Sequence, residues 1–200
     1  MTDKDITDLE KQIAELTTTL NEARSKLTPV PVPDYRFQTL EGKVSLLDLF
    51  GGRDVLLAIH NMGQGCRYCT LWADGFNGLL PHLESTMAVV LLSRDPPALQ
   101  RDFAGSRNWR FRLASHGGGD YISEQTVMSG VDNMPGAVVY KRSDDRVFRW
   151  SSAVFGPGDL YCSMWNLLGL AGLGGDAWTP QFRYWTRPEQ LDDGGENVID

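Results

Sequence analysis

The chain has 200 residues, of which 42% are hydrophobic, enough for one ordinary soluble domain with its own core. A formal net charge of -7 and a pI near 4.9, with lysines and arginines scattered, argue against a nucleic-acid backbone as partner. Three cysteines do not make a secreted disulfide scaffold, no basic-then-apolar leader opens the chain, and apolar runs such as 87–92 and 167–173 are too short for a bilayer; the expectation is a cytoplasmic protein without membrane insertion.

Residues 1–28 read as an amphipathic helix over about 3–27, with Ile6, Leu9, Ile13, Leu16, Leu20, Ala23 and Leu27 at alternating three- and four-residue steps. Acidic residues crowd its start, basic ones its end, and the Pro-rich segment 29–34, read as a linker, stops it. Such a helix either packs on its own domain or forms a homodimer through its stripe. Tyr35 to Thr39 and Lys43 to Leu46 flank Glu41-Gly42 as a hairpin. Asp54 to His60 is a nearly continuous apolar run, the pattern of a strand buried on both faces. Then come a helix over Arg67 to His82, a strand Met87 to Leu92, a helix Pro97 to Gly105 and a strand Phe111 to Ser115. An antiparallel pair follows, Ala137 to Lys141 and Arg146 to Trp150, and then a helix Asp159 to Leu170. Strands alternating with helices predict an α/β sheet with right-handed crossovers. The domain is expected over 35–185, with a mobile acidic tail at 186–200.

The chemistry concentrates in Gly65-Cys66-Arg67-Tyr68-Cys69. Two cysteines two residues apart suit a redox couple, half of a metal site or two small buried side chains. Their position after a buried strand, at a helix start, favours the couple: free N–H groups and the helix dipole stabilise a thiolate on Cys66, while Cys69 lies one turn further in. Cys66 would attack, Cys69 resolve, and Arg67 add positive charge. A zinc site would need ligands from Cys162, His60, His82 or His116, none of which forms a second pair, so neither metal nor other cofactor is expected. Cys162 reads as a core residue.

Met134-Pro135 stands just before an apolar strand, where proline is confined to a first position or a bend. Together with GKVSLLDLFGGRDVLL, GCRYCTLWADGFNGLLPHL, LLSRDP and the late WTPQFRYW, it completes a pattern that resembles the bacterial thioredoxin-like family catalogued as domain of unknown function 899. The resemblance runs from the N-terminal helix to about Trp185. It implies a thioredoxin-like fold, a central mixed sheet flanked by helices with an N-terminal helical extension, and dithiol-disulfide oxidoreductase activity on a thiol or disulfide substrate with a separate electron donor. It also implies a cis Pro135 facing the cysteines, with Met134 and Pro135 bordering the substrate; an ordinary trans proline opening the strand is the alternative. The chain departs from the family in its short NMGQG loop, in Arg67 where a proline usually follows the first cysteine, and in NWRFRLASHGGGDYISEQ. Gly63 stands where a peroxiredoxin would carry threonine, which ranks peroxide reduction below disulfide exchange.

His60, six residues before Cys66, has the spacing of the buried acid that relays a proton to the resolving cysteine in thioredoxins. It serves equally as a hydrogen-bonded strand end. Arg94, closing the next strand, could face an anionic substrate or pair with Asp95 or Asp102. Trp72 reads as core, and Gly117-Gly118-Gly119 as a flexible connection. The rival to an enzyme is a redox-inert thioredoxin-like interaction module.

Overall fold

In the computed structural model, which describes residues 2–174 and 178–184, the apolar run ending at His60 lies at the centre of one eight-stranded mixed sheet. The elements are α1 (Asp3–Ser25), β1 (Val30–Val32), β2 (Arg36–Thr39), β3 (Gly42–Ser45), β4 (Val55–His60), α2 (Arg67–Glu84), β5 (Ala88–Ser93), α3 (Pro97–Ser106), β6 (Arg112–Ser115), α4 (Asp120–Glu124), β7 (Gly136–Ser143), β8 (Arg146–Val154) and α5 (Ser163–Leu170). The strand order is β1-β8-β7-β4-β5-β6-β2-β3. Strands β4, β5 and β6 are parallel; β7 runs antiparallel to β4, and β8 and β1 continue that edge. Strands β4 and β5 read as nearly continuous apolar runs because both of their faces are covered.

Alternation along β4 splits the core in two. Leu56 and Ala58 face Phe37, Leu46, Leu49, Phe50, Val138 and Tyr140; Ile59 faces the other way, toward Trp72, Leu80, Ala104, Trp165 and Leu168 of the helices α2, α3 and α5. The first cluster is built by the N-terminal hairpin, a short 3-10 turn at Asp48–Phe50 and α4.

Three local differences from the sequence reading have physical causes. The Pro-rich segment contains β1, in which Pro31 sits opposite Phe148; an edge strand tolerates the missing N–H. Helix α5 starts at Ser163, not Asp159, because the Asp159 carboxylate accepts from the N–H groups of Tyr161 (2.7 Å) and Cys162 (3.0 Å) and holds a turn ahead of the helix. Strand β8 extends to Val154 through Ser151 and Ser152, paired with Val139 and Val138 despite their polarity. The acidic tail expected at 186–200 lies outside the described residues.

Helix α1 is capped by Thr2, whose side chain accepts from Asp5 N–H while Asp5 accepts from the Thr2 N–H. None of its residues is buried. It does not pack its stripe on its own domain; Arg24 ties it to the rest of the fold, its Nη2 donating to Tyr161 Oη at 2.6 Å. No helix among the described residues is long and apolar enough to cross a membrane.

Candidate active site

Strand β4 delivers the chain to Asn61-Met62-Gly63-Gln64-Gly65, and this loop is fastened along its length. Asn61 N–H donates to Leu92 C=O (2.8 Å), Gly63 N–H to Asn61 Oδ1 (2.8 Å), Gln64 N–H to Asp95 Oδ2 (2.8 Å) and Cys66 N–H to Gly63 C=O (3.1 Å). Gly63 has φ +119°, and a Cβ there would lie 2.9 Å from Asp95 Oδ1, so both the backbone and the space demand glycine. Asp95 thus clamps the loop from the end of β5.

Cys66 is the N-cap of α2, with extended backbone (φ -95°, ψ 103°), and its Sγ accepts the Cys69 N–H at 3.1 Å. The sulfur takes the place that a serine or aspartate oxygen holds in an ordinary cap. The two cysteines form a disulfide, with Cα atoms 5.3 Å apart. Cys66 is 9% exposed and Cys69 3%, and the Met62 N–H points at Cys69 Sγ from 3.5 Å. The graded access expected of the pair is present, although both sulfurs are more enclosed than the sequence suggests. Thr70 locks the same turn, donating through N–H and Oγ1 to Cys66 C=O, each at 3.0 Å.

The other predicted residues fall around this turn. Arg67 is 4% exposed, and its Nη1 meets Gln181 Oε1 at 3.5 Å, so its charge is engaged by the C-terminal segment 178–184. Gly136 is registered opposite His60, which brings the half-buried Met134 and the buried Pro135 to the strand end from which the cysteine loop departs. The described chain has no cis peptide bond. The Met134-Pro135 bond is therefore trans, not the cis form the resemblance implies; Pro135 directly precedes β7, where it needs no N–H, and its carbonyl accepts from Phe155 N–H at 2.9 Å. Arg94 is exposed at the end of β5 and pairs with neither Asp95 nor Asp102; its side chain lies along Gly118, where an added Cβ would be 3.1 Å from its Nε. Burial, reinforced by the Arg94 charge, pushes the His116 imidazole down to about 4.

His60 turns to the opposite face of the sheet from α2. Its Nε2 lies 2.8 Å from Tyr121 Oη, which stands 3.2 Å from Tyr140 Oη; the Tyr140 hydroxyl donates its one proton to Gln125 Oε1 (3.1 Å), an obligate acceptor, while Gln125 Nε2 donates to Tyr35 Oη (3.0 Å) and Tyr35 donates to Glu124 Oε2 (2.6 Å). This buried chain leads from the site's floor to an exposed carboxylate. Desolvation, with the charges of His116 and Arg149, pushes His60 down to about 3, and burial raises the Tyr121 and Tyr140 phenols above their ordinary range. His60 is a neutral imidazole at physiological pH. The relay expected of it requires titration near neutrality, and complete burial removes that property.

The aromatic wall beside the cysteines is built from Tyr68 stacked on Trp165 (6.2 Å, 26°) and Trp72 on Phe155 (5.8 Å, 20°). Cys162 is a buried free thiol, pushed up by burial. Among the described residues no three His, Cys, Asp or Glu side chains gather as a metal site, and His82 lies in the last turn of α2, far along the helix from Cys66. Asn61, Asp95 and the Tyr–Gln chain were not singled out from the sequence as site residues. For the first two, a signal existed in their places directly after apolar strands; the tyrosines carried none.

The mixed sheet, the flanking helices and a CxxC turn opening the helix after the central strand define a thioredoxin-like fold. The chain matches the bacterial protein family of unknown function DUF899 over residues 4–191, and it belongs to that family. Its fold is similar to that of reduced Prx3 from Vibrio vulnificus (TM-score 0.52, 14% identity, 72% of this chain and 97% of the other). Similarity also extends to the peroxidoxin BcpB of Mycobacterium tuberculosis (TM-score 0.48, 20% identity, 64% and 85%) and to peroxiredoxin Q of Xanthomonas campestris (TM-score 0.49, 16% identity, 71% and 94%). No curated protein matches the chain.

Proposed function

We propose that the protein is a thiol–disulfide oxidoreductase in which Cys66 attacks and Cys69 resolves. The observation that carries this reading is Cys66 Sγ in the cap position of α2, accepting the Cys69 N–H. When the pair is reduced, the same N–H and the positive end of the helix stabilise negative charge on Cys66, while Cys69 stays enclosed one turn along.

The Cys66 thiolate attacks one sulfur of a substrate disulfide; a Cys66–substrate bond forms, the substrate's S–S bond breaks, and the departing thiolate takes a proton from solvent. Cys69, having lost its proton, then attacks Cys66 Sγ, and the second substrate thiolate leaves. The substrate gains two electrons, the protein holds the Cys66–Cys69 disulfide, and an external dithiol restores the reduced pair. Met134 and Pro135 at the β7 entrance border the substrate, and exposed Arg94 attracts an anionic one. Arg67 braces the turn through Gln181 more than it meets solvent. His60 supports the floor as a neutral hydrogen-bond partner of Tyr121, since moving a thiol proton onto an imidazole that titrates at about 3 is uphill.

Trapping tests the order of events. Cys69→Ser incubated with a small-molecule disulfide should accumulate a mixed disulfide on Cys66, visible as a mass increase. Cys66→Ser should accumulate none; trapping on Cys69 instead would reverse the assignment.

A further inference from the structure

Helix α1 runs for 23 residues without burying one of them. Its large apolar side chains remain exposed, from 37% at Leu20 to 69% at Leu16. A helix that packs on a globular core usually shows a wider apolar face; this stripe is the narrow seam of a coiled coil, with Ile6, Ile13 and Leu20 at a positions and Leu9, Leu16 and Ala23 at d. Helices in proteins draw most of their stability from packing an amphipathic face, so the exposed seam calls for a partner.

The flanking positions identify that partner. The e positions are Asp3, Glu10, Thr17 and Arg24, and the g positions are Asp5, Gln12, Thr19 and Lys26: acidic at the start, neutral in the middle, basic at the end. A parallel copy would face g Asp5 with e Glu10, like against like. An antiparallel copy whose core layers pair Ile6 with Ala23, Leu9 with Leu20 and Ile13 with Leu16 places Asp5 against Lys26 and Asp3 against Arg24, each pair twice by symmetry. We propose that α1 is the dimerisation element of this protein, pairing antiparallel with α1 of a second copy in that register. Arg24 keeps its bond to Tyr161 while other guanidinium donors reach Asp3, since five N–H groups are available.

Sedimentation equilibrium on the full chain tests it through Asp5→Lys, Lys26→Asp and the double variant. Wild type should be a dimer at micromolar concentration, each single reversal should weaken association about tenfold, and the double variant should recover it. Both reversals oppose the helix dipole, so recovery cannot come from helix stability. A monomeric wild type, an Asp5→Lys variant that associates more tightly, a double variant weaker than either single, or a dimer that survives Leu9→Asp with Leu16→Asp would each overturn the proposal.

Discussion

The Cys69 N–H donates to Cys66 Sγ at 3.1 Å, so the backbone of the second cysteine caps the sulfur of the first. This ties reactivity to helix geometry, since the donor is positioned by the first turn of α2. In the fully reduced protein, iodoacetamide should modify Cys66 well before Cys69 or Cys162, as peptide mass mapping would show. Cys69 is nearly sealed, and the Cys162 thiol is pushed up by burial and the nearby Asp159. Equal labelling of Cys162 and Cys66 would contradict the cap.

Gly63→Ala should be among the more damaging single-methyl additions. The backbone there sits at φ +119°, and the new Cβ would meet the Asp95 carboxylate that holds Gln64. Strain of about 1–3 kcal/mol is expected, read as a lower urea midpoint together with slower disulfide exchange. Asp95→Ala removes the obstruction but frees the Gln64 N–H, so it should slow exchange with a smaller loss of stability.

Stability should fall in mild acid because of His60. Its unfolded imidazole binds a proton near pH 6.5 and its folded one only near 3, so between these values the unfolded state holds more protons. The stabilisation from keeping His60 neutral is complete above pH 6.5 and is lost progressively as the pH drops toward 3. At pH 5 the loss from His60 alone is about 2 kcal/mol. His116 acts in the same direction, so His60→Leu should flatten the dependence of unfolding free energy on pH without abolishing it.

Tyr140→Phe removes one hydroxyl that serves both Tyr121 and Gln125. Leaving their polar atoms buried without it should cost about 1–3 kcal/mol in denaturant unfolding. Tyr35→Phe, nearer the exposed Glu124, should cost less.

Much of this architecture is legible in the sequence because local patterns and burial agree. The run ending at His60 is apolar on successive residues since β5 and β7 flank it and helices and hairpin cover it. The CxxC turn announces itself by spacing and place. Strand β1 is invisible because Val30-Pro31-Val32 acquires its role only from β8, through the register that sets Val30 opposite the distant Arg149. The His60 chain is hidden for the same reason: Tyr35, Tyr121, Gln125 and Tyr140 are ordinary residues until the sheet folds them together, and the burial that silences His60 is a tertiary property. Pro135 misleads differently, since a proline at a strand start is satisfied by either isomer and the local sequence does not choose.

The proposed activity requires Cys66 and Cys69 to form a reversible, substrate-coupled redox pair. Equilibrating the wild-type protein across dithiothreitol redox buffers, while counting free thiols and following reduction of a small-molecule disulfide, tests it most directly. A two-electron Cys66–Cys69 transition is expected, with turnover that disappears in Cys66→Ser; thiols that never form that disulfide reversibly, or turnover that persists in Cys66→Ser, would overturn the proposed function.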